Sequence, residues 1–181
     1  MRTQTVEVCA ERQLHWVLAV EEPRCVDTHH DHRLIELHQH LDRVVLPNNT
    51  AITAVSFAPD GTYLRDEEPG FGLYLDPRWN PPWPHAHLEW PDFGVPADPL
   101  CVESALHHVL SLAQSGKQVE VGCLGGHGRT GTAVACLAII SGMPPDQAVD
   151  WVRDVYCAGA VETAEQATFV ETFGATKVST Q

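Results

Sequence analysis

Hydrophobic and polar positions change their spacing part-way along the chain. Up to about residue 98 the apolar residues fall in short runs broken by turn-forming residues. Val6 to Val20 holds two such runs, and Ala51 to Ala58 (AITAVSFA) is rich in β-branched residues and closes on Pro59-Asp60-Gly61. Runs of this length, ended by residues whose φ preferences favour a turn, predict strands. From Glu67 to Pro99 the density of Pro, Gly and Trp predicts an ordered loop whose shape is set by rigid residues.

Beyond residue 98 the period becomes helical. Pro99 to Ser115 predicts a helix stopped by Gly116, and Val119 to Val121 a short strand interrupted by Gly122. Thr130 to Ser141 predicts a second helix, ended by Gly142. Pro144-Pro145-Asp146 opens a third, with Val149, Val152 and Tyr156 on one face. A fourth begins at Thr163 and packs Phe169, Val170 and Phe173. Strands followed by strand–helix alternation predict an α/β domain, with helices flanking a central, mainly parallel sheet. The 181 residues fit one domain, with a strand- and loop-rich part at 1–84 and the candidate chemistry at 85–173.

Composition narrows the function. The chain is 44% hydrophobic, enough for a real core, but carries 24 acidic against 11 basic residues, a net charge of -13. That balance argues against a general nucleic-acid binder and against docking on an anionic membrane. A phosphate pocket survives, because it depends on local dipoles and one or two arginines. The longest apolar stretch, Thr132 to Ile140, is short of the roughly 20 residues of a membrane span, and His15 to Val20 is too short for a signal-peptide core. A cytoplasmic protein is expected. The six cysteines (9, 25, 101, 123, 136 and 157) include no CxxC pair, so neither a disulfide framework nor a zinc ribbon is predicted.

The most informative segment is Val119 to Thr132, VEVGCLGGHGRTGT. Cys123 follows an apolar strand, glycines occupy 125, 126 and 128, and Arg129 immediately precedes a helix. Such a turn can wrap the backbone N–H groups of Leu124, Gly125, Gly126, His127 and Gly128 around a tetrahedral anion, with Arg129 as a bidentate fork. The same donors, with the Thr130 hydroxyl, favour a thiolate at Cys123 as they would any anion. Cys123 to Gly131 resembles the C-x5-R-[ST] phosphate loop of the protein tyrosine phosphatase superfamily. Upstream, Asp92 in Trp90-Pro91-Asp92-Phe93-Gly94-Val95-Pro96 looks like the WPD acid loop of the same enzymes. Downstream, Val161 to Gln166 (VETAEQ) resembles their water-positioning segment, although Thr163 and Gln166 also fit a helix capping box.

The resemblance covers residues 85 to 173 and implies a phosphotyrosine protein phosphatase-like fold. It implies Cys123 as nucleophile, Arg129 as phosphate ligand, Asp92 as general acid and base, Thr130 as a partner of the departing thiolate and Gln166 as a water-positioning group. It calls for no metal or organic cofactor, and for a phosphorylated protein or small phosphate ester as the partner of a monomer. A phosphate-binding protein without turnover, and a phosphatase of small-molecule or nucleotide phosphates, are the alternatives. Where the family usually has a histidine before the nucleophile, this chain has Gly122. The chain is of dual-specificity length but carries a tyrosine-specific type of acid loop.

Other features are expected to be structural. His29, His30, His32, His38 and His40, near Cys25, read as a solvated polar loop, since their spacing fits no zinc pattern. His127 reads as a filler at the loop rim, Arg78 as a surface arginine, and Cys136 and Cys157 as packing on buried helix faces.

Overall fold

The computed structural model describes the backbone of residues 14–17 and all of residues 40–57 and 65–174. In chain order the strands are β1 (Leu14–Val17), β2 (Leu41–Val45), β3 (Ala51–Ser56), β4 (Phe71–Tyr74), β5 (His85–Leu88) and β6 (Val119–Cys123). The helices are α1 (Pro99–Gln114), α2 (Gly128–Ile140), α3 (Pro145–Val155) and α4 (Ala164–Thr172). One sheet runs in the order β1-β5-β4-β6-β3-β2. Its four inner strands are parallel to one another, while β1 pairs antiparallel with β5 and β2 antiparallel with β3. The expected α/β architecture is therefore present, with antiparallel strands added at both sides of the parallel centre.

Local signals explain the helices. The Asp98 carboxylate accepts from the Leu100 and Cys101 N–H groups at the start of α1, Pro99 supplies a preset φ, and Gly116 stops the chain at φ 88°. Thr163 caps α4 by accepting from the Gln166 N–H. Helix α2 is buried from Gly128 to Ala138 and forms the centre of the core with Val121, Leu73, Val102 and Leu106.

The segment 67–99, read from sequence as a loop, instead contributes β4 and β5. All four residues of β4 are buried, so no polar alternation marks it. Between the two strands, residues 75–84 hold the prolines, and Trp79 and Trp83 pack there with Phe57, Val55 and Tyr74 in a second cluster. Gly122 does not end β6, which runs on to Cys123. Helix α2 begins at Gly128, ahead of the expected Thr130. The Pro59-Asp60-Gly61 turn, Val6 and His29, His30, His32 and His38 lie outside the described residues.

Candidate active site

The parallel strands β3, β4 and β6 end together, with Ser56 opposite Cys123 and Tyr74 opposite Gly122. Ligand crevices of open α/β sheets lie at these carboxyl ends. Here the chain leaves β6 at Cys123, passes Leu124, Gly125, Gly126 and His127, and enters α2. His127, at the N-cap of α2, provides no side-chain cap, which favours an anion at this helix start. Gly126 has φ 77°, and a Cβ there would lie 2.8 Å from His40 Cδ2, so both backbone angle and space require glycine.

Cys123 and Thr130 are both buried, and the Thr130 hydroxyl donates to Cys123 Sγ at 3.1 Å. The Arg129 guanidinium is only 5% exposed. Nη1 donates to the Leu75 and Trp90 carbonyl oxygens at 3.0 and 3.2 Å, and Nη2 to Asp76 Oδ2 at 3.2 Å. Nη2 also lies 3.1 Å from Asp92 Oδ1. The sheet end, the 90–96 turn and the start of α2 are thus joined through one side chain. Asp76 receives Arg78 as well, at 2.6 Å. Burial opposes ionisation of Asp76, but the hydrogen bonds and charge of Arg78 and the charge of Arg129 outweigh it and hold the carboxyl below its ordinary value of 3.8.

The 90–96 segment is a turn closed by the Gly94 N–H on the Pro91 oxygen, 3.1 Å, with Phe93 at φ 57°. Its Trp90 is buried against Phe169, ring centres 5.8 Å apart, and donates from Nε1 to Gly94 O. Asp92 itself faces solvent, its side chain 57% exposed. Gln166 is fully buried. Its carboxamide accepts from the Glu162 N–H at 2.9 Å and donates to Gly94 O at 3.3 Å, so one side chain ties the start of α4 to the acid loop. Glu162 accepts a backbone hydrogen bond from Gly128 in the phosphate loop. Burial, aided by the Asp92 charge and opposed by this bond and Arg129, raises its carboxyl pKa above 4.5.

Three expectations are corrected at the rim. His40 is buried rather than part of a solvated loop, with Nδ1 2.6 Å from Asp42 Oδ2 and Nε2 3.3 Å from His127 Nδ1. His127 is consequently no filler, because its Nδ1 also lies 3.3 Å from Cys157 Sγ. Cys157 lies beyond α3, half-buried beside the phosphate loop, whereas Cys136 packs in the core as expected. Sequence reading also missed Asp76, which lacks a motif, and gave no role to Glu162 within the VETAEQ segment; both are brought to the site by the fold. Tyr156 was read only as an apolar face of α3, yet its hydroxyl donates to Gly126 O at 2.5 Å.

The family described as "Swiss Army Knife protein, DSP-PTPase phosphatase domain" (PTP-SAK) matches residues 91–172. The structure of a kinase associated phosphatase bearing serine in place of its catalytic site cysteine superposes with a TM-score of 0.64. That comparison covers 80% of this chain and 97% of the other at 16% identity. The chain has the fold of the protein-tyrosine/dual-specificity phosphatase superfamily. Another phosphatase-superfamily structure, Tk-PTP in its active form, matches with a TM-score of 0.52 at 25% identity, over 58% of this chain and 78% of that one. An uncharacterized protein of Methanocaldococcus jannaschii is 36% identical over 120 residues, 59% of this chain and 77% of its own length. The two chains belong to one family. Among the described residues no helix is long and apolar enough to cross a membrane.

Proposed function

We propose that the protein is a cysteine-dependent phosphomonoester hydrolase acting on phosphotyrosine in proteins. The observation that carries this reading is the meeting of Cys123, hydrogen-bonded by Thr130, with a buried Arg129 that reaches the Asp92 carboxylate at 3.1 Å. A nucleophile, an anion ligand and a proton donor are then within one substrate's reach. A purely phosphate-binding site has no need of the first and last together.

In the proposed reaction the Cys123 thiolate attacks phosphorus in line with the leaving oxygen. Arg129 and the amides of residues 124–128 hold the equatorial oxygens, where charge accumulates. As the P–O bond breaks, Asp92 gives its proton to the leaving oxygen and a phosphocysteine forms. Water then attacks phosphorus, passing a proton to Asp92, while the S–P bond breaks and the pair returns to sulfur as thiolate. Thr130 hydrogen-bonds that thiolate. Gln166 orients that water in this reading, which its hydrogen bonds to the Glu162 N–H and Gly94 O support by tying α4 to the 90–96 turn. The substrate phosphate competes with Asp92 for Arg129, so binding releases the acid for its task.

Hydrolysis of an aryl phosphate in the presence of a chelator tests this. Cys123→Ser abolishes turnover, and Asp92→Ala lowers kcat by about 100-fold or more. Turnover that survives Cys123→Ser overturns the mechanism. Faster hydrolysis of a nucleotide or a phosphothreonine peptide than of a phosphotyrosine peptide overturns the substrate assignment alone.

A further inference from the structure

The geometry points to a metal-binding site formed by His40, His127 and Cys157 at the rim of the phosphate loop, selective for Zn²⁺ or a similar borderline cation. The three residues come from segments far apart in sequence: the residue before β2, the phosphate loop, and the connection after α3. Their ligand atoms all lie within 4.8 Å of one another. Two of the three separations, His40 Nε2 to His127 Nδ1 and His127 Nδ1 to Cys157 Sγ, are 3.3 Å. A tetrahedral Zn²⁺ with bonds of about 2.0 Å to nitrogen and 2.3 Å to sulfur sets its ligand atoms about 3.3 to 3.6 Å apart. Two edges of that polyhedron are already at length. The third closes by a turn of the half-buried Cys157 side chain.

The surroundings favour ligation as well. Asp42 Oδ2 sits 2.6 Å from His40 Nδ1. A carboxylate there accepts a hydrogen bond from Nδ1–H, which keeps the proton on Nδ1 and leaves the Nε2 lone pair directed at His127, as the outer partners of metal-bound histidines commonly do. The Gly159 N–H donates to Cys157 Sγ at 3.4 Å and so favours the thiolate that a metal requires. Two imidazoles and a thiolate match Zn²⁺ and exclude Mg²⁺ or Ca²⁺, which take oxygen ligands. Among the described residues three side chains supply ligand atoms, and a tetrahedral ion has a fourth position besides. Bound metal would release the Cys157 proton and pin His127, hence the phosphate loop, to β2 and to the end of α3. This site does not depend on the hydrolase reading, and it uses neither Cys123 nor Asp92.

Cobalt(II), a spectroscopic substitute for Zn²⁺, supplies the test, with Cys123→Ser as the parent so that metal on the nucleophile is not counted. The parent is expected to take up one Co²⁺ with a thiolate charge-transfer band and strong tetrahedral d–d absorption. Adding Cys157→Ser removes the charge-transfer band, and adding His127→Gln weakens binding at least tenfold. Asp42→Asn, which leaves all three ligands in place, weakens it about 10- to 100-fold. Zn²⁺ raises the Tm of the parent but not of the Cys157→Ser form, whose own Tm and circular dichroism report that it is folded. A charge-transfer band that persists without Cys157, or no band in the parent, overturns the proposal.

Discussion

A methyl group on residue 122 would lie 2.4 Å from Val55 Cγ2 and 2.8 Å from the Val55 carbonyl oxygen. The position before Cys123 is glycine because β3 already fills the space, and a histidine there would have to displace Val55 and Phe57. Gly122→Ala is therefore expected to destabilise the fold by about 1–3 kcal/mol through overpacking, and Gly122→His by more, read from urea unfolding. Unchanged stability of the alanine variant would show that β3 yields freely. Gly128 differs, since a Cβ there would meet only the ends of the Glu162 and Gln166 side chains, which can turn aside. The close approach lets Glu162 accept the Gly128 N–H.

Helix α1 shows how far an element can be read from its ends. Asp98 accepts from two N–H groups, so Asp98→Ala is expected to cost about 1 kcal/mol of stability and leave aryl-phosphate turnover unchanged. A urea midpoint equal to wild type would show that the cap contributes nothing. The helices were legible because Pro99, Gly116, Gly142 and Thr163 mark their limits locally, although the Asp98 cap itself was not read from the sequence. Strands β4 and β5 were not. β4 is buried throughout, and the polar residues of β5 are satisfied inside the fold, with His85 Nδ1 on the Trp83 oxygen and His87 Nε2 on the Trp79 oxygen. Polarity there does not signal exposure, and the neighbouring prolines belong to the crossing between the strands. The same contrast holds in the candidate site. Cys123, Thr130 and Arg129 share one turn and were readable from spacing, whereas Asp76, His40 and Asp42 reach the loop only because the sheet order sets β2, β3, β4 and β6 side by side.

At the scale of the molecule the excess of negative charge leaves anion binding to a few groups. Residues 85–181 hold only Lys117, Arg129, Arg153 and Lys177 as cations. Of these, Arg129 stands in the turn after Cys123 and the Arg153 guanidinium donates to the Ala160 and Val161 oxygens, while Arg78, from the other half of the chain, shares Asp76 with Arg129. Two carboxyls at that turn then give opposite signs to the dependence of stability on pH. Asp76 titrates below 3.8 in the fold, so between that lowered value and 3.8 the unfolded chain holds more protons than the native one. Its stabilisation is complete above 3.8 and is lost as the pH falls below it. Glu162 titrates above 4.5, so there the native chain holds more protons, and stability falls as pH rises from 4.5 through the raised value. Urea midpoints measured across the acid range should separate the two. Asp76→Asn is expected to flatten the loss of stability below pH 3.8, and Glu162→Gln to flatten the decline that begins near pH 4.5. If Asp76→Asn leaves the acid limb as steep as in wild type, the Asp76 carboxylate, held mainly by Arg78 and next by Arg129, contributes nothing to stability in acid, and Arg129 owes its position to the Leu75 and Trp90 carbonyls and to Asp92.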